Sequence, residues 1–168
     1  RLEALATTDP LTRLLNRRAL HDRLAAEVQR ADRYGAVLTL MLIDVDHFKD
    51  VNDTHGHLVG DAVLAQLAAV VQASLRTVDV AARYGGEEFI VILPETPLDG
   101  GISIAERLRD RMAGHEFFGL HGVPLQLTVS IGVAVYPSHE VHSTDELIAR
   151  ADTALYRAKA EGRNAVRA

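Results

Sequence analysis

The feature that most constrains the fold is a Gly-Gly pair with an apolar run on each side of it. Gly85 and Gly86 favour a tight β-hairpin turn, because such a turn needs positive φ values that glycine adopts without a Cβ clash. Glu87 and Glu88 follow directly and stand at the predicted hairpin tip. Consecutive strand residues point to opposite faces, so the two carboxylates are predicted to have different roles.

Composition limits the classes of function. The 168 residues are 48% hydrophobic and 24% charged, which is ordinary for a globular protein. The net charge of −5 argues against a general binder of nucleic acid or anionic membranes, which would need a basic surface. The absence of cysteine excludes disulfide and thiol chemistry. No apolar run reaches transmembrane length, and nothing resembles a signal peptide.

Helical and strand-like patterns alternate along the chain. The predicted helices cover residues 12–34, 61–75, 102–112 and a last segment from the Ser143 cap to the Gly162 stop. The predicted strands are 37–43, the two arms of the hairpin, and one or two strands within 117–135. Residues 52–60 are predicted to be a polar loop, and Asp9-Pro10 to start the first helix. The pattern favours a layered α/β (α+β) fold, with helices packed around a central mixed or antiparallel sheet.

Asp44 ends the apolar run 37–43, which is predicted to be buried near the middle of the sheet. A buried carboxylate is costly unless it is hydrogen-bonded or binds a cation. If this strand end lies beside the hairpin tip, Asp44 and Asp46 meet the two glutamates, and Mg²⁺ would offset their mutual repulsion. The alternative is four solvated acids at the sheet rim. A calcium loop is excluded, because Phe48 and Lys49 stand where an oxygen ligand and a glycine belong.

Two further pairs are candidates for binding a nucleotide. Lys159 and Arg163 share one helix edge if the last helix reaches them, and could hold a triphosphate. The alternative is an exposed helix end that favours cations through its dipole. Asn52 and Asp61 carry the amide and carboxylate that would complement a guanine edge. Asp61 equally fits the N-cap of the helix that follows.

Together these motifs resemble the GGDEF domain of bacterial diguanylate cyclases over the whole chain, residues 1–168. The six motifs that carry the resemblance are Asp9-Pro10-Leu11-Thr12 with Asn16-Arg17, Asp44-x-Asp46-x-Phe48-Lys49-x-x-Asn52-Asp53, Gly56-His57-x-x-Gly60-Asp61, Arg83-Tyr84-Gly85-Gly86-Glu87-Glu88-Phe89, Ser130-Ile131-Gly132-Val133-Ala134 and Ala151-Asp152-x-Ala154-Leu155-Tyr156-x-Ala158-Lys159-x-x-Gly162-Arg163-Asn164. Arg13 departs from the family, which usually has glycine after Leu-Thr.

The resemblance implies a nucleotide-cyclase or polymerase-palm-like fold and a reaction that turns two GTP molecules into cyclic di-GMP and two pyrophosphates. Each domain would hold one GTP, and two domains would face each other as a homodimer across a two-fold axis. It also implies a cytoplasmic bacterial domain at the C-terminal part of a longer sensor protein, which could be attached to the membrane through its N-terminal region. The chain begins with Arg1, not Met, as expected for a piece of such a protein.

The resemblance assigns roles to particular residues. Mg²⁺, or Mn²⁺ in its place, would be held by Asp44, the backbone carbonyl of Val45, and Glu87. Guanine would be recognised by Asn52 and Asp61, with His57 also at the nucleotide, and the phosphates would be held by Lys49, Lys159 and Arg163. A hairpin glutamate would assist removal of the 3′-OH proton. Glu87 is favoured as the essential acid, with Glu88 next.

A regulatory site is also predicted. Arg76-x-x-Asp79 lies where product-inhibited members of the family bind cyclic di-GMP, and Arg107 stands where the family often adds a second arginine. The alternative for Arg76 and Asp79 is a surface ion pair of little energetic value. Two other functions stay open at this point. One is a non-catalytic module that binds GTP or cyclic di-GMP, and the other is a different nucleotidyl cyclase or polymerase-palm enzyme.

Overall fold

The fold is seen in a computed structural model that describes residues 6–168, so the first five residues of the predicted 1–168 domain lie outside it. The helices are α1 (Arg17–Tyr34), α2 (Phe48–His55), α3 (His57–Ala73), α4 (Leu98–Gly114) and α5 (Thr144–Ala160). The strands are β1 (Leu38–Val45), β2 (Val80–Arg83), β3 (Glu88–Pro94), β4 (Phe117–Phe118), β5 (Pro124–Leu125), β6 (Val129–Tyr136) and β7 (Val166–Arg167). No helix in this range is both long enough and apolar enough to cross a bilayer.

Five strands form one mixed sheet in the order β2-β3-β1-β6-β7, which confirms the predicted layered fold. All pairs are antiparallel except β6 with β7. Strand β1 is central and all eight of its residues are buried, as its continuous apolar run predicted. The register sets Asp44 opposite Glu88 of β3 on one side and Ser130 of β6 on the other. The end of β1 therefore lies at the hairpin tip.

Successive side chains of β1 point to opposite faces of the sheet and contribute to two hydrophobic cores, one on each face. Met41 and Ile43 pack in the core that α3 and α4 cover, whereas Leu40 and Leu42 pack in the core that α1 and α5 cover. At Gly132 of β6, helix α5 comes so close that an added Cβ would lie 2.0 Å from the carbonyl oxygen of Ala151. This contact fixes the distance of α5 from the sheet.

The first helix begins later than predicted. It starts at Arg17, and the Asn16 side chain caps it by accepting a hydrogen bond from Ala19 N–H. Residues 9–15 instead form a turn whose end pairs with the edge of the sheet, since Leu15 N–H donates to the carbonyl of Ala81 at 3.2 Å. Arg13, which departs from the glycine that the resemblance leads one to expect, adopts a φ of 65°, in the region that favours glycine.

The segment predicted to be a polar loop is helical. Helices α2 and α3 are joined at Gly56, whose φ of 89° lets the chain turn between them. Their polar residues cover the solvent face, while Phe48 and Val51 of α2 and Val59 of α3 are buried. Asp61 is therefore not the N-cap, because α3 begins four residues earlier at His57.

The second half of the chain follows the prediction with shifted boundaries. Helix α4 is longer than the predicted 102–112, because it begins at Leu98 and ends at Gly114. The main strand of the 117–135 region is β6, and the rest forms the small β4–β5 hairpin. Helix α5 begins after Ser143, whose hydroxyl accepts from Glu146 N–H at 3.1 Å, as predicted. Gly162 has a φ of 116° just beyond its end.

Candidate functional site

Asp44 is buried at the end of β1 and meets two elements from distant parts of the chain. Its Oδ2 is ion-paired with Nζ of Lys159, which extends from the last turn of α5. Its Oδ1 is buried and has no hydrogen-bond partner. An unpaired buried carboxylate oxygen is costly, and binding a cation would remove that cost.

Glu87 lies in the turn between β2 and β3 and lines the same cavity as Asp44. Desolvation raises its pKa to about 7, and the negative charge of the neighbouring Asp44 carboxylate acts in the same direction. Two carboxyl groups that share a site in this way repel each other when both are ionised. A positively charged ligand bound beside Glu87 and Asp44 would offset this repulsion.

Glu88 occupies a different position, as its place at the start of β3 requires. It faces Asp44 across the strand pair, and desolvation followed by the charge of Asp44 raises its pKa. Arg17 and Asp152 also act on it, with opposite signs. Strand alternation does not apply to Glu87, because β3 begins only at Glu88. The charge of Asp44 therefore raises the pKa of both glutamates, although one lies in the turn and the other in the strand.

The cavity at the end of β1 has a volume of about 230 Å³. It is lined by Asp44, Val45, Asp46, His47, Phe48, Lys49, Asp50, Glu87, Lys159 and Arg163. All six residues predicted for metal and phosphate binding thus line one cavity. The sheet register and the end of α5 bring them together from three separate segments.

Within residues 6–168, no three His, Cys, Asp or Glu side chains converge as a ready metal site. Mg²⁺, however, usually takes only one or two protein carboxylates and completes its shell with water and substrate phosphates. Asp44 with its free Oδ1, the main chain of Val45, and Glu87 supply the hard oxygen ligands that Mg²⁺ prefers. These residues therefore fit a divalent cation.

Asp46 was predicted to join the acid cluster, but its carboxylate oxygens accept hydrogen bonds from other parts of the chain. Its Oδ1 accepts from Ser130 Oγ at 2.7 Å, and its Oδ2 accepts from Thr128 Oγ1 at 2.6 Å and from Asn164 N–H at 2.9 Å. Both oxygens thus accept hydrogen bonds from donors at the start of β6, from the residue before it, or from the turn after α5. Sequence reasoning missed these partners because they are far from Asp46 along the chain, although Ser130 and Asn164 both lie in recognised motifs.

Lys159 and Arg163 do not share one helix edge. Helix α5 ends at Ala160, and Arg163 has a φ of 63°, so it lies in a turn beyond the helix. Both side chains nevertheless line the cavity. Lys49 is at the rim with an exposed side chain, where its Nζ lies 2.7 Å from Asp53 Oδ2 and this hydrogen bond raises its pKa.

Asn52 and Gly60 form a second polar feature, between α2 and α3. The Oδ1 of Asn52 is buried and has no partner, so it can accept a hydrogen bond from a ligand. A Cβ on Gly60 would lie 1.9 Å from that oxygen, so glycine is required for Asn52 to keep this position. His57 and Asp61 are exposed on the first turns of α3.

The hairpin turn is held by contacts that sequence reasoning did not identify. Arg83 donates to the carbonyls of Gly85 at 3.2 Å and Gly86 at 2.7 Å, and also pairs with Asp9 at 3.4 Å. Neither glycine has a positive φ, so the expected reason for Gly-Gly was wrong. At Gly85 an added Cβ would lie 2.8 Å from Oε1 of Glu88, so that a larger residue would require the Glu88 carboxylate to move.

The predicted regulatory pair is built as an ion pair at the start of the hairpin. Arg76 donates to Asp79 at 2.7 Å, and the same guanidinium reaches the carbonyl of Pro94 at 3.2 Å and Oγ1 of Thr96 at 3.0 Å. The hydrogen bonds to Asp79 raise the pKa of Arg76. About half of the Arg76 side chain is exposed, and Arg107 is exposed on α4.

The profile of the family described as "Diguanylate cyclase, GGDEF domain" matches residues 6–165. The chain belongs to the GGDEF family. Among proteins similar to this GGDEF domain, diguanylate cyclase DgcP of Pseudomonas aeruginosa is 47% identical over 159 residues, 95% of the chain. Response regulator PleD of Caulobacter vibrioides is 45% identical over 163 residues, 96% of the chain. The chain spans 23% of the length of the former and 36% of the latter.

Solved structures agree with this assignment. The crystal structure of the GGDEF domain of DgcB from Caulobacter crescentus, in complex with c-di-GMP, superposes with a TM-score of 0.91 at 36% identity, covering 96% of this chain and 95% of that one. The crystal structure of diguanylate cyclase SiaD of Pseudomonas aeruginosa, in complex with its activator SiaC, superposes with a TM-score of 0.90 at 38% identity. The match covers 98% of this chain and 63% of that one. The fold of this GGDEF domain is thus that of proteins named diguanylate cyclases.

The raised pKa of Glu87 predicts a pH-dependent stability in metal-free buffer. Because the folded state binds its proton up to about pH 7, this group contributes stability below pH 4.5 that is lost as the pH rises to about 7. With EDTA present, we expect the melting temperature of the wild type to fall more steeply between pH 5 and pH 8 than that of Glu87→Gln. Thermal unfolding monitored by circular dichroism measures both slopes. Equal slopes would contradict the prediction.

Proposed function

We propose that this chain is an active diguanylate cyclase domain, which joins two GTP molecules into cyclic di-GMP and releases two pyrophosphates. The observation that carries the proposal is the buried, unpartnered Oδ1 of Asp44 at the cavity that Glu87 also lines. A module that only binds nucleotide does not need a pair of carboxylates ready for a divalent cation. Family membership, and relatives that are named diguanylate cyclases, support the proposal.

The cofactor that fits this site is Mg²⁺, with Mn²⁺ as a substitute. Asp44, the main-chain carbonyl of Val45 and Glu87 would hold it. When bound, the ion neutralises phosphate charge and lowers the pKa of the attacking 3′-hydroxyl group. Lys159 compensates the second oxygen of Asp44, so the site carries less net negative charge when a triphosphate arrives.

The cations of the site orient the substrate. Lys159, Arg163 and Lys49 line the cavity and would bind the phosphates of GTP. Attack of a 3′-oxygen on an α-phosphate needs in-line placement, and fixed cations supply it. Glu88 faces Asp44 and has a raised pKa, so it is the second candidate, beside Glu87, for assisting removal of the 3′-OH proton.

Recognition of guanine would fall to the polar feature between α2 and α3. The free Oδ1 of Asn52 accepts hydrogen bonds, as does the carboxylate of Asp61, and guanine presents N–H groups at N1 and N2. His57, on the first turn of α3, would lie beside the nucleotide. An unpaired buried acceptor discriminates against a base that has no donor at that place.

Dimerisation is part of this proposal. A domain that holds one GTP cannot present the 3′-hydroxyl of that nucleotide to a second GTP in the same site. Two copies facing each other across a two-fold axis solve this problem, because each 3′-oxygen then meets the α-phosphate held by the partner. We also propose a regulatory domain before residue 1, since the relatives are several times longer than this chain.

Incubation with GTP and Mg²⁺, followed by mass identification of the product, tests the proposal. We expect cyclic di-GMP and pyrophosphate, at a rate that rises more than linearly with protein concentration until the dimer is saturated. Binding of GTP with no product at concentrations where dimers are present would favour the non-catalytic module. A different cyclic or linear product would favour another nucleotidyl cyclase or a polymerase-like enzyme.

We further propose that cyclic di-GMP inhibits the domain by binding at Arg76, Asp79 and Arg107. A guanidinium group fits both a guanine edge and a phosphate, and Arg76 is held in place by Asp79 and Thr96 while half of its side chain stays exposed. The DgcB structures contain c-di-GMP. Product accumulation would then lower the rate before GTP is exhausted.

Replacing Arg76 with alanine is expected to relieve this inhibition and to leave the initial rate within about two-fold of wild type, because Arg76 lies outside the catalytic cavity. The half-inhibitory concentration of added cyclic di-GMP should rise by about ten-fold or more. Progress curves with and without added product measure both quantities. Arg111→Ala, a substitution of another arginine on α4, is the control. Progress curves of the wild type without inhibition would contradict the regulatory site.

A further inference from the structure

The turn after α5 has an unusual backbone. Arg163 and Asn164 are consecutive non-glycine residues with positive φ values of 63° and 46°. Such conformations are disfavoured for residues with a Cβ, and they persist only where the surrounding structure imposes them. Because Arg163 lines the catalytic cavity, this conformation decides where its guanidinium group stands.

Two side chains from outside the turn hold Asn164. The buried Asp46 accepts from its backbone N–H at 2.9 Å, and Arg109 of α4 donates from Nη1 to its Oδ1 at 2.8 Å. On either side, Arg163 N–H donates to the carbonyl of Ala158 at 3.0 Å and Ile131 N–H donates to the carbonyl of Ala165 at 2.9 Å. The turn is thus fixed from the sheet, from α4 and from α5.

Both side-chain oxygens of Asp46 accept hydrogen bonds from within the protein. Its side chain also accepts hydrogen bonds from the hydroxyl groups of Thr128 and Ser130, and the residue is only 4% exposed. The second acid of the Asp-x-Asp pair therefore does not share the task of the first. Asp44 faces the cavity with a free oxygen, whereas Asp46 ties the end of β1 to the turn that carries Arg163.

We propose that Asp46 and Arg109 are positioning residues, which hold the Arg163–Asn164 turn so that the Arg163 guanidinium meets the phosphates of the bound GTP. The inference rests on the proposed function for the role of Arg163. Neither positioning residue needs to touch the nucleotide. Arg109 acts from α4, a helix whose residues do not line the catalytic cavity.

Arg109 is the better residue for an experiment, because Asp46 is buried and its loss would leave the hydroxyl groups of Thr128 and Ser130 without their acceptor. The experiment is a double-mutant cycle between Arg109→Ala and Arg163→Ala. We expect Arg109→Ala to raise the KM for GTP by about ten-fold, with a smaller change in kcat. In the Arg163→Ala background the same substitution should change KM by less than about two-fold.

Binding of 3′-deoxy-GTP, measured by calorimetry, gives a readout that needs no turnover. The affinity should follow the same non-additive pattern, and Arg109→Lys, which keeps a donor, should recover part of it. Arg111→Ala is the matched control on α4, since its guanidinium group bonds to Ser74 Oγ instead. Its affinity should equal that of the wild type. Melting temperatures check that each variant folds.

Equal effects of Arg109→Ala in both backgrounds, or no effect in either, would overturn the positioning role. A wild type that binds 3′-deoxy-GTP but forms no product from GTP would instead overturn the proposed function. In that case the binding cycle still decides whether Arg109 acts through Arg163. The two failures are therefore distinguishable.

Discussion

Glu87→Gln is expected to lower the formation of cyclic di-GMP by at least about 100-fold. The substitution keeps the shape of the side chain and removes the charge that, with Asp44, would hold the divalent cation. The fold should survive, because the raised pKa of Glu87 means that its negative charge is not needed for folding. Initial rates measured by chromatography of the product, at saturating GTP and Mg²⁺, test this.

Two variants complete that experiment. Glu140→Gln removes an exposed acid that pairs with Arg150 at 3.2 Å, far from the site along the chain, and should leave the rate unchanged. Glu88→Gln asks whether the neighbouring glutamate carries the larger share of the chemistry. Wild-type turnover in Glu87→Gln, together with strong loss in Glu88→Gln, would reverse our assignment of the essential acid.

The second large effect is expected at Gly132, where substitution by alanine should destabilise the fold by about 3 kcal/mol. The added Cβ would lie 2.0 Å from Ala151 O and 2.4 Å from Leu155 N. Both are backbone atoms of α5, so no side chain can rotate away and the helix itself has to move. Urea unfolding followed by circular dichroism measures the change in the free energy of unfolding.

Gly114→Ala is the matched control for this prediction. A Cβ at Gly114, the last residue of α4, would meet no atom within 4 Å, so its effect should stay within about 0.5 kcal/mol. Similar stabilities of the two variants would show that α5 tolerates displacement from the sheet. That outcome would contradict the close packing between α5 and β6.

The parts of the fold that were predictable are those with strong local signals. The run 37–43 is too continuously apolar for a strand with one solvent face, and it became the buried centre of the sheet. The Ser143 cap and the hairpin are also short-range features, and both were confirmed. The helices in the 52–60 region were missed, because their buried face is narrow and their other residues are polar.

The candidate site depends on contacts that periodicity cannot reveal. Lys159 lies 115 residues after its partner Asp44, and Asn164 lies 118 residues after Asp46. Motif resemblance brought these residues to attention, but the roles of Asp46, Arg83 and Arg109 follow only from the hydrogen bonds that the fold creates. Equally, the close approach of Gly85 to the Glu88 carboxylate is a tertiary contact that no propensity rule anticipates.

The ion pair between Lys159 and Asp44 bears on the order in which ligands arrive. The ammonium group of Lys159 already neutralises part of the charge on the Asp44 carboxylate. The electrostatic attraction between this carboxylate and a free divalent cation is therefore weaker than it would be without the lysine. A cation chelated by a triphosphate brings its own anionic ligands and is not penalised in the same way. For the activity that we propose, binding of a preformed metal–nucleotide complex is therefore favoured over binding of the free cation first.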